Sequence, residues 1–100
     1  SGTDLHMDIG LGIYTAVLGG ALAVRTIAGT FELAIPPETR NGTVFKLKGR
    51  GFPVYREPGS HGDLFLRMLL ELPEKLTLKE KALFADLAAL RKGKASGVPA

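Results

Sequence analysis

Two histidines and the carboxylates beside them are the residues of this chain best suited to chemistry. His6 stands between Asp4 and Asp8, and His61 stands two positions before Asp63. Imidazole and carboxylate together can ligate zinc or pass protons as general acid and base. Nothing in the spacing brings the two clusters to one place, and polar residues on a solvated strand face give the same pattern, so no metal site is expected. Nucleophilic catalysis has still less to work with. The serines are Ser1, Ser60 and Ser96, and Ser60 beside His61 lacks the third group that orients a base. The chain has no cysteine, which removes thiolate nucleophiles, disulfides and cysteine-ligated zinc. No catalytic residue is assigned, no cofactor is expected, and the chain is read as a non-enzyme.

The segment "FKLKGRGFP", residues 45–53, is the next candidate. Lys46, Lys48 and Arg50 occupy every second position, and Gly49 and Gly51 flank the arginine. Exposed glycine amides cradle phosphates. A phosphate loop, however, needs a helix N-terminus after it, and here Phe52-Pro53 and a loop follow. A single-stranded nucleic-acid surface needs cations interleaved with aromatics on one face. Phe45 alternates with the lysines and so points away from them, leaving Phe52 and Tyr55 for stacking. A small basic nucleic-acid-binding domain is therefore the alternative reading, not the leading one, and nucleic acid is not expected as a partner.

Charge and size agree with that ordering. The chain has 100 residues and a net charge of +3, the size of one domain that can bury roughly two-thirds of its unfolded surface. Residues 1–90 hold ten Lys+Arg and ten Asp+Glu, so the excess is Arg91, Lys92 and Lys94 at the end. The body is neutral. No apolar run is long enough to span a bilayer and no basic-then-apolar leader is read, so a soluble chain without membrane contact is expected, and the missing cysteines fit the cytoplasm.

The elements that must position these residues follow from periodicity. "DLHMDI" alternates, with Leu5, Met7 and Ile9 on one face and Asp4, His6 and Asp8 on the other, which predicts a half-buried strand. "GIYTAVLGG" sets Ile13, Tyr14, Val17 and Leu18 at helical spacing and stops at a glycine pair, a short helix with a left-handed end. "ALAVRT" and "TFELAI" alternate again around an Ala28-Gly29 turn, placing Leu22 and Val24, then Phe31, Leu33 and Ile35, on apolar faces. "PPETRNG" breaks the sheet before "TVFKLKG" resumes it. Residues 52–62 read as an exposed loop, and "DLFLRMLLELP" as the longest strand, with Leu64, Leu66, Met68, Leu70 and Leu72 on one face. Thr77 and Glu80 form a capping box for a last helix running to about Arg91. Its stripe of Leu83, Phe84, Leu87 and Leu90 either packs on its own sheet or docks on another copy, since both bury the same side chains.

The fold class expected is mainly β: a two-layer antiparallel β-sandwich with a short helix near the N-terminus and a C-terminal helix. In order and spacing, "GTDLHMDIGLGIYTAVLGGALAVRTIAG", "IPPETRNGTVFKLKGRGFP" and "GDLFLRMLLELPEKLTLKEKALFADL" resemble the second C-terminal β-domain of DnaJ-type (J-domain) co-chaperones, over about residues 2–91. The most specific pieces are Ile35-Pro36-Pro37 followed by Asn41-Gly42, then Leu47 to Pro53, then Gly62-Asp63-Leu64. His61 stands where relatives often carry Arg.

The resemblance implies a sandwich domain of peptide-binding type over residues 1–75, a dimerisation helix over 76–92 and a flexible tail over 93–100. It also implies holding of unfolded or partly folded polypeptides, and a homodimer through Leu83, Phe84, Leu87 and Leu90. The family's ATP-driven DnaK-type chaperone would be reached only through the full-length protein, because the His-Pro-Asp tripeptide, the Gly/Phe-rich linker and the Cys-rich zinc repeats are absent from this chain. By analogy with the sister domain's groove, an extended client would add a strand at the strand of Leu22 and Val24. The plain reading of the same two residues is core.

Overall fold

The computed structural model describes residues 2–27 and 29–92. Ala28 of the expected turn and the expected tail at 93–100 lie outside the described residues. The elements are β1 (Leu5–Gly12), α1 (Ile13–Leu18), β2 (Gly20–Thr26), β3 (Gly29–Ile35), β4 (Val44–Leu47), β5 (Leu64–Glu71) and α2 (Leu78–Arg91). They make two sheets, one ordered β1-β5-β4 and the other the β2-β3 hairpin. A mainly β, two-layer fold with a short first helix and a C-terminal helix is what the periodicity predicts.

The two sheets share one core. Leu11, Leu64, Leu66 and Met68 come from the three-stranded sheet, Val24, Leu33 and Ile35 from the hairpin, and Ala16 from α1. The strict alternation of β5 sends Leu64, Leu66 and Met68 inward, where each is fully buried. Arg67 and Leu69 point outward to solvent, and Phe65 lies half-covered beneath His6. Burying an aliphatic side chain of this size contributes roughly 1.5–3 kcal/mol, so β5 alone is the largest single source of core stability.

One strand pair departs from the all-antiparallel expectation. β1 runs parallel to β5, from Leu5↔Leu64 to Gly12↔Glu71, while β4 runs antiparallel to β5 and β2 antiparallel to β3. Alternation reveals which face a residue takes and is silent on strand direction. A parallel pair needs a long connection, and the chain between β1 and β5 supplies it.

α1 ends as its sequence suggests: Gly19 takes a φ of 81° and its N–H donates to Thr15 O at 2.8 Å. Beyond β4 the ladder is prolonged by residues that are not strand. Gly42 N–H donates to Met68 O at 2.7 Å, and Met68 N–H to Thr43 O at 2.8 Å. The Asn41 side-chain carbonyl then accepts from Leu70 N–H at 2.9 Å, standing in for a strand. Residues 52–62 are tied back on themselves, with a bridge between Pro53 and His61 and a Val54 N–H to Ser60 O bond of 2.8 Å.

The entry to β5 is a knot of main chain. Phe52 N–H donates to Thr3 O, Leu5 N–H to Asp63 O, and Asp63 N–H to the Asp4 carboxylate, each at 2.8 Å. The strands approach so closely that a Cβ on Gly62 would overlap the Thr3 main chain, and one on Gly51 the carbonyls of Asp63 and Thr3. Asp63 also accepts from Gly49 N–H at 2.9 Å and pairs with Lys46 Nζ at 3.4 Å. The Gly49 bond, aided by Lys46, holds its carboxyl below the ordinary aspartate range.

A depressed carboxylate contributes stability that is present above its unfolded pKa, about 3.9, and is lost as pH falls through the lower folded value. Asp63→Asn keeps an acceptor for Gly49 and cannot titrate. Urea midpoints measured from pH 6 down to about pH 2 should therefore fall less steeply for Asp63→Asn than for the natural chain; superimposable acid profiles would contradict the role given to this carboxylate.

Candidate functional site

Two surfaces stand out, and each is built from elements already in place. The first is α2. Thr77 is its N-cap: Glu80 N–H donates to Thr77 Oγ1 at 3.1 Å and Thr77 N–H donates to the Glu80 carboxylate at 2.7 Å, the reciprocal capping box its sequence predicts. The helix runs to Arg91 without burying any residue. Leu83, Leu87 and Leu90 remain 55%, 58% and 67% exposed, and only Phe84 is half-covered. Phe84 meets Tyr14 of α1 with ring centroids 6.3 Å apart and a 48° tilt. Between them lies an open groove of about 380 Å³, lined by Tyr14 and the stripe, with Glu80 and Asp86 at its rim. The structure thus brings Leu83, Phe84, Leu87 and Leu90 onto one face, and that face is not packed on the chain's own sheet. Sequence reasoning missed Tyr14, whose place in the short helix pattern resembles that of any amphipathic residue.

The second surface is the outer edge of β2. Among the described residues no strand pairs with it. The hairpin register runs from Gly20↔Ile35 to Thr26↔Gly29. A connection of two residues can be closed only by a hydrogen-bonded pair, so Thr26↔Gly29 is one, and the alternation along an antiparallel ladder makes Val24↔Phe31 and Leu22↔Leu33 others. The main-chain groups of Ala21, Ala23 and Arg25 therefore point outward. Leu22 and Val24 face the other sheet: Val24 is buried and Leu22 packs half-buried against the core. What β2 offers to a partner is its backbone, which residue types do not advertise.

Two of the three cations of "FKLKGRGFP", Lys46 and Arg50, are engaged at home. Lys46 pairs with Asp63, and the Arg50 guanidinium lies 4.6 Å from the Phe31 ring centre, closing the hairpin end of the sandwich through a cation–π contact. Arg67 makes a two-pronged bond to Asp8 at 2.9 Å for each prong. That hydrogen bonding lowers the Asp8 pKa and raises that of Arg67. Arg56 stacks 5.4 Å from Tyr55 in the loop. His6 lies flat on Phe65, centroids 4.8 Å apart and 10° from parallel. Among the described residues no three of His, Asp and Glu converge as a metal site, and His6 and His61 stay in separate elements.

Comparison with known proteins places this architecture. The sequence model of the DnaJ C terminal domain matches residues 1–73. Over 87 residues the chain is 40% identical to "Chaperone protein DnaJ 2" of Thermus thermophilus, an overlap covering 87% of this chain and 30% of that protein. Over 93 residues it is 41% identical to "Chaperone protein DnaJ" of Methylibium petroleiphilum, covering 92% of this chain and 24% of that protein. The chain spans less than a third of the length of these relatives. With its two sheets, its ordered motifs and these matches in agreement, the chain belongs to the DnaJ C-terminal domain family.

Proposed function

We propose that this chain is the self-associating, client-holding module of a DnaJ-like co-chaperone working in the cytoplasm, with residues 1–75 as the binding body and 76–92 as the dimerisation helix. The observation that carries the reading is the uncovered stripe of α2. Three leucines with more than half their surface in water each stand to gain on the order of 1 kcal/mol when covered. Pairing two copies covers six, a gain comparable with the roughly 4–15 kcal/mol that association costs. A second copy satisfies both stripes at once, since a two-fold interface uses the same patch twice.

Client holding rests on the open β2 edge. An unfolded or partly folded polypeptide that adds a strand there gains main-chain hydrogen bonds whatever its sequence. Each net bond is worth only about 1 kcal/mol, so one edge holds weakly. Two edges on one particle hold a long chain far better through effective concentration. Self-association and client holding are in this sense one function. The ATP-driven DnaK-type partner belongs to the full-length protein, because this chain has no His-Pro-Asp tripeptide with which to engage it. No catalytic step is assigned to it, and among the described residues no helix is long and apolar enough to cross a membrane. The nucleic-acid alternative is weakened, because two of its three cations, Lys46 and Arg50, already have partners within the chain, while Lys48 has no ion pair among the described residues.

In sedimentation experiments the natural chain should be dimeric at high concentration and Leu87→Asp monomeric with its sheet intact by circular dichroism, the loss being about a hundredfold or more because each copy would bury an unpaired carboxylate in the interface. A natural chain that stays monomeric, or a Leu87→Asp chain that stays dimeric, defeats the self-association reading.

For the edge, Ala23→Pro deletes an N–H that points away from β3, a position where an edge strand tolerates proline. Binding of a permanently unfolded polypeptide should weaken about tenfold, the equivalent of 1.4 kcal/mol, with the melting temperature nearly unchanged. Equal binding by both chains would move the client site elsewhere.

A further inference from the structure

The groove beside α2 has one wall that does not belong to α2. Tyr14 sits in the first turn of α1, remains 52% exposed, and touches Phe84 through its ring. Between the end of β5 at Glu71 and the start of α2 at Leu78 the chain passes through Leu72 to Thr77, with Leu72 exposed and Lys75 at a φ of 54°. Among the described residues the ring pair joins the body of the domain to the middle of α2.

α2 carries Lys79, Glu80 and Lys81 in its first turn, and of these Glu80 lies on the face of the stripe. Glu80 and Asp86 rim the groove, while Arg91 and Lys92 stand at the far end. Among the described residues Asp86, Arg91 and Lys92 have no ion-pair partner. If two α2 helices meet antiparallel with Phe84 level with the partner's Leu87, Glu80 comes level with the partner's Arg91, and the same pair repeats across the two-fold axis. A parallel meeting puts Glu80 against its own copy and Arg91 against its own copy. For the two charges on the stripe face, Glu80 and Arg91, opposite signs therefore meet only in the antiparallel arrangement. Stepping three or four residues at a time, positions 80, 83, 84, 87, 90 and 91 fall on one face of the helix.

From these observations we propose that Tyr14 is a positioning residue for self-association: its ring contact with Phe84 fixes the angle at which α2 leaves the domain, and the groove that the two build receives α2 of a second copy in antiparallel register. The inference rests on the self-association proposed above and goes beyond it in naming the residue that presents the helix and the direction of the pairing. Its consequence is geometric. The angle set at Tyr14 determines how far apart the two β2 edges stand in the particle, and so what length of extended polypeptide can reach both.

The test uses the whole chain, which has no natural cysteine and so accepts a single spin label. Dimer dissociation constants are measured by sedimentation equilibrium for the natural chain, Tyr14→Ala and Tyr14→Phe, with thermal unfolding of each as a control. Tyr14→Ala should weaken the dimer about tenfold or more, and Tyr14→Phe, which keeps the ring, should lie within about twofold of the natural chain. Should Tyr14→Ala fail to fold, Tyr14→Leu replaces it and should weaken the dimer about threefold or more.

A nitroxide on Lys79→Cys supplies the readout that stability alone does not move. Residue 79 and the residue level with it, 92, are thirteen apart, so antiparallel pairing separates the two labels by about 20 Å along the axis at 1.5 Å per residue. Parallel pairing leaves them about one interhelical spacing, roughly 10 Å, apart. The long distance should be seen, as a narrow distribution that broadens in Tyr14→Ala. A natural chain that dimerises while Tyr14→Ala matches it in affinity and distance overturns the role of Tyr14 alone. The short distance overturns the register. A Tyr14→Ala chain that loses only its binding of unfolded polypeptide assigns the groove to a client and overturns the proposal, and a natural chain that never dimerises overturns it together with the reading beneath it.

Discussion

The structure depends on β5 being held on both sides at once. It lies between β1, parallel, and β4, antiparallel, and its Leu64, Leu66 and Met68 form the floor on which the β2-β3 hairpin rests. Because the interior is close-packed, a displacement of this strand is felt by every core residue. The two surfaces with functional promise are both consequences of that placement. The hairpin spends the inner face of β2 on the core and leaves its outer edge without a strand. β5, leaving the sheet at Glu71, delivers α2 to the same end of the domain as α1.

Polar groups near the start of β5 serve that same constraint. Asp63 carries four roles: its N–H meets Asp4, its C=O meets Leu5, and its carboxylate meets Gly49 and Lys46. Through Thr3 and Phe52 the start of the described chain and the long loop are bound together. Two of the three cations that first suggest a grip on an anion are drawn into this arrangement, Lys46 by Asp63 and Arg50 by the ring of Phe31. An exposed ion pair such as Lys46–Asp63 adds little stability by itself. Its effect is to occupy Lys46 and the Asp63 carboxylate with each other.

Much of this was legible in the residues. Alternation assigns Leu5, Met7, Ile9, Leu64, Leu66 and Met68 to the core because side chains on a strand change face at every residue. Thr77 and Glu80 mark the start of α2 because the capping box is a local bond pattern. The parallel sense of β1 and β5 was not legible, since period-2 patterning is the same in either direction. Nor were the Asn41 carbonyl at Leu70, the Arg50 contact with Phe31 or the Tyr14 contact with Phe84, which join residues 19 to 70 positions apart. The stripe of α2 was visible, but whether it is covered by the same chain is a tertiary fact. At β2 the legible residues, Leu22 and Val24, are those turned inward, while the outward groups belong to the backbone at Ala21, Ala23 and Arg25.

The central claim is that α2 is covered by a second copy while the β-domain stands by itself. Amide hydrogen exchange of the natural chain, followed residue by residue over a wide range of protein concentration, addresses it most directly. The amides of Leu83 to Leu90 should become more protected as concentration rises, while those of Leu64 to Leu70 in β5 keep the same protection throughout. Protection of α2 that does not change with concentration would contradict the account.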